Sequence, residues 1–144
     1  MKKLALSLLT CFAVFQLNAA EAWLTDLPKA QAEAKAEKKL VLLDFTGSDW
    51  CGWCIKLHKE VFSTPEFAEY AKKNLVLVEV DFPNKKKQTT ELKKANDVLQ
   101  QKYGVRGYPT IIVLNGEGKK VGQLGYMKGG PKAFTAELDK LKKS

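Results

Sequence analysis

With 144 residues, 45% of them hydrophobic and 28% charged, the chain is long enough to bury one core and carries no bias toward a fibrous or disordered protein. Its formal net charge of +8 comes from lysines spread along the chain, with one run at Lys85-Lys86-Lys87 and a single arginine, Arg106. Nucleic-acid surfaces concentrate basic side chains and use arginine, so that class is set aside for a solvated basic surface biased toward acidic partners.

The first residues stand apart. Met1-Lys2-Lys3 is basic, Leu4 to Phe15 is apolar apart from Ser7 and Thr10, and small residues follow at Ala19, Ala20 and Ala22. This is the pattern of a secretory signal peptide over residues 1–20, too short for a membrane span of ~20 apolar residues. Cleavage is expected after Ala20, or after Ala22, where Ala20-Glu21-Ala22 supplies small-x-small spacing. An uncleaved anchor is the competing reading. The expected product is a single domain over 21–144, secreted or periplasmic and not inserted in a membrane. Cys11 lies inside the apolar run, after Thr10 and not after Gly or Ala, and so leaves with the leader instead of carrying a lipid. Removal of Lys2 and Lys3 leaves 22 basic against 16 acidic residues. Removal of Cys11 leaves Cys51 and Cys54 alone. An exported domain with one closely spaced pair has no disulfide framework, so the pair reads as chemical, not architectural.

The elements follow in order. Thr25-Asp26-Leu27-Pro28 starts a helix with a polar cap and an early proline, continued by strong helix formers from Ala30 to Lys39. Leu40 to Thr46 is a nearly continuous apolar run, the mark of a strand buried on both faces. Gly47-Ser48-Asp49 turns the chain into Trp50-Cys51-Gly52-Trp53-Cys54, and Ile55 to Val61 is helix-compatible. A break near Phe62 precedes a Ser63-x-x-Glu66 capping box, with Phe62 and Phe67 placed as a hydrophobic staple. A helix to about Lys73 follows, then a strand over Leu75 to Phe82. Gln88 to Tyr103 is a helix with Leu92, Ala95, Leu99 and Tyr103 on one face, stopped by Gly104. Pro109 to Leu114 and Lys119 to Tyr126 form a hairpin around Asn115-Gly116-Glu117-Gly118. Gly129-Gly130-Pro131 opens a closing helix with Phe134, Leu138 and Leu141 at helical spacing. Strands joined by a helix are expected to run parallel and those joined by a hairpin antiparallel. The expected fold is therefore α/β: a mixed four-stranded sheet between helices on both faces, plus an N-terminal helix. Cys51 stands at the C-terminal edge of the first strand, where open α/β sheets place their sites.

Asp44-Phe45 in a strand, then Trp50-Cys51-Gly52-Trp53-Cys54, then Gly107-Tyr108-Pro109-Thr110 before another strand, resembles the thioredoxin superfamily. The likeness runs from about Leu40 to Leu141 in element order and implies a thioredoxin-like three-layer sandwich. Within the superfamily the chain looks like the small exported proteins with a Cys-Gly-Trp-Cys motif, and it lacks the helical insertion of the disulfide-introducing DsbA type. It departs from ordinary thioredoxin in three places. Asp44 to Cys51 is one residue longer, Lys59 stands where a proline kinks the active-site helix, and Gly52-Trp53 replaces Gly-Pro.

The residues themselves assign an order of attack. At a helix start, backbone N–H groups and the helix dipole favour the Cys51 thiolate, the species that attacks disulfides. Lys56 and Lys59 add to that field and Asp49 opposes it. Cys54, three residues on and on the same helix face, is the resolving thiol that attacks the Cys51 sulfur. Asp44 is an acid in an apolar strand, costly to bury unless protonated or paired. The resemblance implies that it lies beneath Cys54 and moves its proton; an outward-facing or paired acid is the alternative. The resemblance also implies a cis Tyr108–Pro109 bond facing the cysteines, where an extended partner strand would pair with Tyr108. Trp50 is expected to pack beneath the loop, and Trp53 to be an exposed partner contact.

The expectation is thus an exported thiol–disulfide oxidoreductase, more reductase- or isomerase-like than oxidising. It would need no dissociable cofactor and would exchange with protein thiols or disulfides and an upstream redox partner. Two alternatives stay open: a copper or zinc carrier using Cys51, Cys54 and His58, and a partner-binding module with a structural disulfide. The first is short of donors, since a closed zinc site usually takes four and the chain has no second cysteine pair or histidine. His58 then reads as a surface or partly buried helix residue that modestly affects the cysteines' protonation.

Overall fold

The run Leu40-Val41-Leu42-Leu43-Asp44-Phe45-Thr46 has no polar face to offer solvent, and the sheet is built on it. In a computed structural model, which describes residues 22–143, this strand, β1 (Leu40–Thr46), is buried along its whole length. It pairs in parallel with β2 (Leu75–Asp81) and antiparallel with β3 (Thr110–Leu114). β3 pairs antiparallel with β4 (Lys120–Leu124), so the sheet order is β2-β1-β3-β4. The signal-peptide segment, Cys11 and the Ala20 cleavage point lie outside the described residues.

Side-chain alternation along the strands divides the core in two. Leu40, Leu42, Leu75, Leu77, Ile111 and Val113 face one way. Packed on them are α2 (Gly52–Leu57) with its continuation, α3 (Pro65–Asn74) and α5 (Gly130–Leu141), through Leu57, Phe62, Phe67, Phe134 and Leu138. Val41, Leu43, Phe45, Val76, Val78 and Val80 face the other way. They meet Ala30 and Ala34 of α1 (Leu27–Glu37) and Leu99 and Tyr103 of α4 (Thr90–Tyr103). Phe45, Phe67 and Phe134 are fully buried, each side chain contributing about 1.5–3 kcal/mol from apolar burial. The α/β sandwich has the expected four-stranded mixed sheet, helices on both faces and an N-terminal helix.

Several local expectations are corrected. The first-turn cap of α3 is Thr64, not Ser63: Thr64 Oγ1 accepts the Phe67 N–H at 3.2 Å, with Pro65 next. Ser63 instead bonds His58 Nδ1 through its hydroxyl at 2.8 Å. The Phe62 and Phe67 rings still meet, 5.0 Å between centroids. α4 begins at Thr90, capped by Thr89, and its buried residue is Asn96, while Ala95 is exposed and Leu92, Leu99 and Tyr103 are only half-buried. Asn96 Nδ2 and Gln88 Nε2 both donate to the Asp81 carbonyl at 3.0 Å. A buried carbonyl at a strand end needs donors, and apolar periodicity does not reveal that need. At the β2 edge, Leu24 forms a parallel bridge with Val78, donating to Leu77 O and accepting from Glu79 N. This short segment covers an edge that would otherwise present unpaired amides.

Candidate active site

The turn after β1 delivers the cysteines. The N–H groups of Trp50 and Cys51 both donate to Gly47 O, at 3.2 and 2.8 Å. Ser48 donates to Asp81 through both its N–H (2.9 Å) and its hydroxyl (2.5 Å). Asp49 accepts the N–H groups of Asn84, Lys85 and Lys86 at 2.7–2.8 Å. The extra residue between Asp44 and Cys51 is therefore taken up in a turn tied at two points to the end of β2 and the loop beyond it. Those amides, Asn84's foremost, hold the Asp49 carboxyl below the usual range, so it stays ionised near Cys51.

Cys51 is the N-cap of α2, and its Sγ accepts the Cys54 N–H at 3.2 Å. The two cysteines form a disulfide, with Cα atoms 5.2 Å apart. The amide that meets the disulfide sulfur is available to a Cys51 thiolate after reduction, and the helix start favours that anion. Both sulfur residues are buried, Cys51 at 7% and Cys54 at 4% exposure. Exposure therefore barely distinguishes the two cysteines in this disulfide form.

Where Lys59 replaces the kinking proline, the helix changes pitch. Residues His58–Phe62 form a π-helical turn, after which the chain breaks at Ser63. A π turn widens the ring of backbone bonds without removing a donor, and so bends the helix by a different device. The turn places His58 and Lys59 with Asp44, Glu79 and Cys54 in the lining of a 360 Å³ cavity.

Asp44 is 7% exposed, and its Oδ1 is buried with no hydrogen-bond partner among the described residues. Burial first, then the negative charges of Glu79 and Asp81, push its pKa up to about 7. Asp44 and Cys54 both line that cavity. Tyr108–Pro109 is cis. Because Phe45 pairs with Thr110, Pro109 lies level with the C-terminal end of β1, next to the turn that carries the cysteines.

A profile of the thioredoxin-like domain family matches residues 27–142. The chain belongs to the thioredoxin-like family. It is similar to the disulfide bond reductase DsbH of Chlamydia pneumoniae, 37% identical over 110 residues, 76% of this chain and 66% of that protein. A solved structure of a DsbH oxidoreductase superposes with a TM-score of 0.78 at 36% identity, covering 86% of this chain and 88% of that one. The thiol:disulfide interchange protein DsbD of Vibrio cholerae is 38% identical over 98 residues, 68% of this chain but only 15% of its own length. The chain thus spans just under two thirds of the first relative and a small part of the second.

Around the thioredoxin-like disulfide the aromatic residues form two groups. Trp53, 58% exposed as expected of it, lies against Tyr126, with ring centroids 4.9 Å apart. Lys56 Nζ stands 5.2 and 5.3 Å from these two rings, and the Tyr126 hydroxyl donates to Glu60 at 2.8 Å. On the other side Tyr108 stacks on Phe82 at 5.2 Å and takes a hydrogen bond from Gln100 Nε2 onto its hydroxyl. Its side chain is thereby occupied, leaving its backbone as the part a partner could pair with. Trp50 corrects the expectation that it packs beneath the loop. It is 47% exposed, meets Tyr108 edge-on at 6.0 Å, and donates its indole N–H to Phe82 O at 2.7 Å. The loop passes under the ring instead: a Cβ added at Gly47 would come within 2.5–2.7 Å of it.

That contact gives a first prediction. Gly47→Ala must push the Trp50 ring off the turn and break its bond to Phe82. Since the ring can swing outward, the cost is about 1–2 kcal/mol, read as a lower Tm with red-shifted tryptophan emission. An unchanged emission maximum would show that Trp50 is not held in this way.

Cys51, Cys54 and His58 are not gathered as a ligand set. The sulfurs are bonded to each other, His58 Nδ1 is engaged by Ser63, and among the described residues no group of three or more His, Cys, Asp or Glu is arranged to hold a metal ion. Sequence reasoning passed over Glu79 and Asp81. The signal was present, because both parallel strands turn acidic at matching ends, Leu42-Leu43-Asp44 in one and Leu77-Val78-Glu79 in the other.

Proposed function

We propose that this protein is an exported thiol–disulfide oxidoreductase that reduces or reshuffles disulfides of other proteins through Cys51 and Cys54. The observation that carries the reading is a disulfide capping a helix N-terminus, with Cys54 lining the same cavity as a buried, unpartnered carboxyl. In the reducing direction the Cys51 thiolate attacks a partner disulfide, forming a Cys51–partner bond and releasing one partner thiolate. Cys54 gives its proton to Asp44 and attacks the Cys51 sulfur; the Cys51–Cys54 bond forms and the second partner sulfur leaves as thiolate. The partner gains two electrons, and an upstream dithiol restores the protein. Trp53, Tyr108 and Pro109 line the partner's approach, the backbone at Tyr108 offering hydrogen bonds to an extended segment.

No dissociable cofactor takes part in this scheme. Support for the direction comes from likeness to a protein named as a disulfide bond reductase. Support for export comes from the leader pattern over residues 1–20. The test is reduction of insulin with dithiothreitol as the electron source. Catalytic amounts of the protein should shorten the onset of B-chain precipitation severalfold; a time course identical to dithiothreitol alone would remove the reading.

A further inference from the structure

The face of the sheet beneath α2 is apolar at Leu40, Leu42, Leu75 and Leu77, and the same alternation then places Asp44, Thr46, Glu79 and Asp81 at the ends of the two parallel strands. Asp44 and Glu79 are register partners. Adjacent strands lie about 4.8 Å apart, so two side chains in register on one face are neighbours. Both line the cavity that also holds Cys54, His58 and Lys59. They differ in access, for Asp44 is buried while Glu79, alone in β2, is half-exposed.

We propose that Glu79 and Asp44 act as one carboxylate pair in the cavity that Cys54 also lines, with Glu79 handing a proton between Asp44 and solvent. The inference rests on the oxidoreductase reading for its purpose, though not for its geometry. The negative charge of Glu79, in register beside it, disfavours the Asp44 anion, so Asp44 keeps its proton more readily than a lone carboxyl. When Cys54 must become a thiolate, its proton moves to Asp44. Asp44 is walled off by Ile111 of β3 on its other side, leaving Glu79 as the neighbouring acceptor with a water-facing edge. In the opposite direction the same route returns the proton to Cys54. Glu79 thus acts through Asp44, and Asp44 alone meets the sulfur chemistry.

The other groups around the pair have different duties. Asp81, on the same strand face, is 3% exposed and taken by Ser48, with Lys86 Nζ at 3.8 Å, so it contributes a fixed negative charge. From the π turn, His58 is bonded to Ser63 and Lys59 is exposed. Thr46 adds no charge. Glu79 is the half-exposed carboxylate in register with Asp44, in a position to both tune it and exchange with it.

The test needs no turnover. In the disulfide form, 13C NMR of the side-chain carboxyls is followed from pH 4 to 9. In wild type the Asp44 carbon should titrate well above the range of a free aspartate. Glu79→Gln, close in shape and half-exposed, should leave the fold intact and lower the Asp44 midpoint by about one pH unit. An Asp44 midpoint unmoved by Glu79→Gln would overturn the pair. A second measurement follows Cys54 resolving a mixed disulfide between Cys51 and a chromogenic thiol. Its pH profile should shift toward acid in Glu79→Gln, with the rate above pH 8 lowered severalfold by loss of the exit. If the carboxyls are coupled but the resolution profile and rate stay as in wild type, the proton route is overturned. Failure of the insulin assay would instead count against the oxidoreductase reading, and the two failures are read in separate experiments.

Discussion

Cys54→Ser should accumulate covalent complexes with partner proteins in the native host, and Cys51→Ser should accumulate none. The asymmetry follows from the capping geometry. Cys51 Sγ receives the Cys54 N–H at 3.2 Å at the start of α2, an environment that favours its thiolate, while Cys54 lies one turn inside the helix on the wall of the Asp44 cavity. The Cys54→Ser protein retains the attacking sulfur and loses the one that completes exchange, so the Cys51–partner disulfide persists. Cys51→Ser loses attack itself, and insulin reduction should fall to the dithiothreitol background, a loss of at least ~10³-fold for removal of a nucleophile. Non-reducing electrophoresis and mass spectrometry of the trapped bands check this and identify the partners. Equal trapping by both variants would mean that the order of attack is wrong, and trapping by Cys51→Ser alone would reverse it. Because both cysteines are nearly equally buried in the disulfide form, accessibility alone would not separate them; the helix start must.

Much of this site was legible before the fold was known. A seven-residue run with no polar face can only be a strand buried on both sides, and a cysteine pair placed between such a strand and a helix stands at the sheet's C-terminal edge. Those two facts fix where the disulfide lies, and the resemblance carried by Gly107-Tyr108-Pro109-Thr110 adds the cis bond. What could not be read depends on contacts between segments far apart in the chain. Glu79 in Leu75-Val76-Leu77-Val78-Glu79-Val80-Asp81 looks like a solvent-facing acid until the register with β1 sets it beside Asp44. Asn96 looks like a polar position on an amphipathic helix until the Asp81 carbonyl claims it. Ser63 and Thr64 are equally good caps by composition, and His58 decides between them by taking the Ser63 hydroxyl. Lys59 signals only the loss of a proline, and the π turn that takes over the bend sets Val61 and Phe62 in the core, a placement seen only once the distant partners of that core are in position.

Asp44→Asn should make the protein more stable and a poorer catalyst, with both effects set by pH. In the folded protein Asp44 keeps its proton up to about 7, chiefly because burial disfavours the anion. In the unfolded chain it loses that proton near pH 4. Between these values the folded state binds more protons than the unfolded one, so Asp44 lowers stability progressively as pH rises from about 4 to about 7, and the full penalty remains above that. A displacement of this size corresponds to ~4 kcal/mol at its limit. The neutral amide never meets the penalty. It should equal wild type or fall below it by up to about 2 kcal/mol near pH 4, where Asp44 is protonated and only the cost of seating an amide without partners counts, and exceed it by about 2–4 kcal/mol at pH 8. Urea unfolding at both pH values checks this, with the disulfide intact so that the reference state is unchanged. The same substitution removes the base proposed to receive the Cys54 proton, and resolution of a mixed disulfide at pH 7 should slow by about 10²-fold. A gain in stability that is equal at pH 4 and pH 8 would show that Asp44 is not held protonated by the fold. A gain confined to high pH with unaltered resolution would show that its proton is not the one Cys54 gives up. Stability and rate are coupled here because a carboxyl buried deeply enough to titrate near neutrality, where it is most useful as an acid and base, is one the fold would be more stable without.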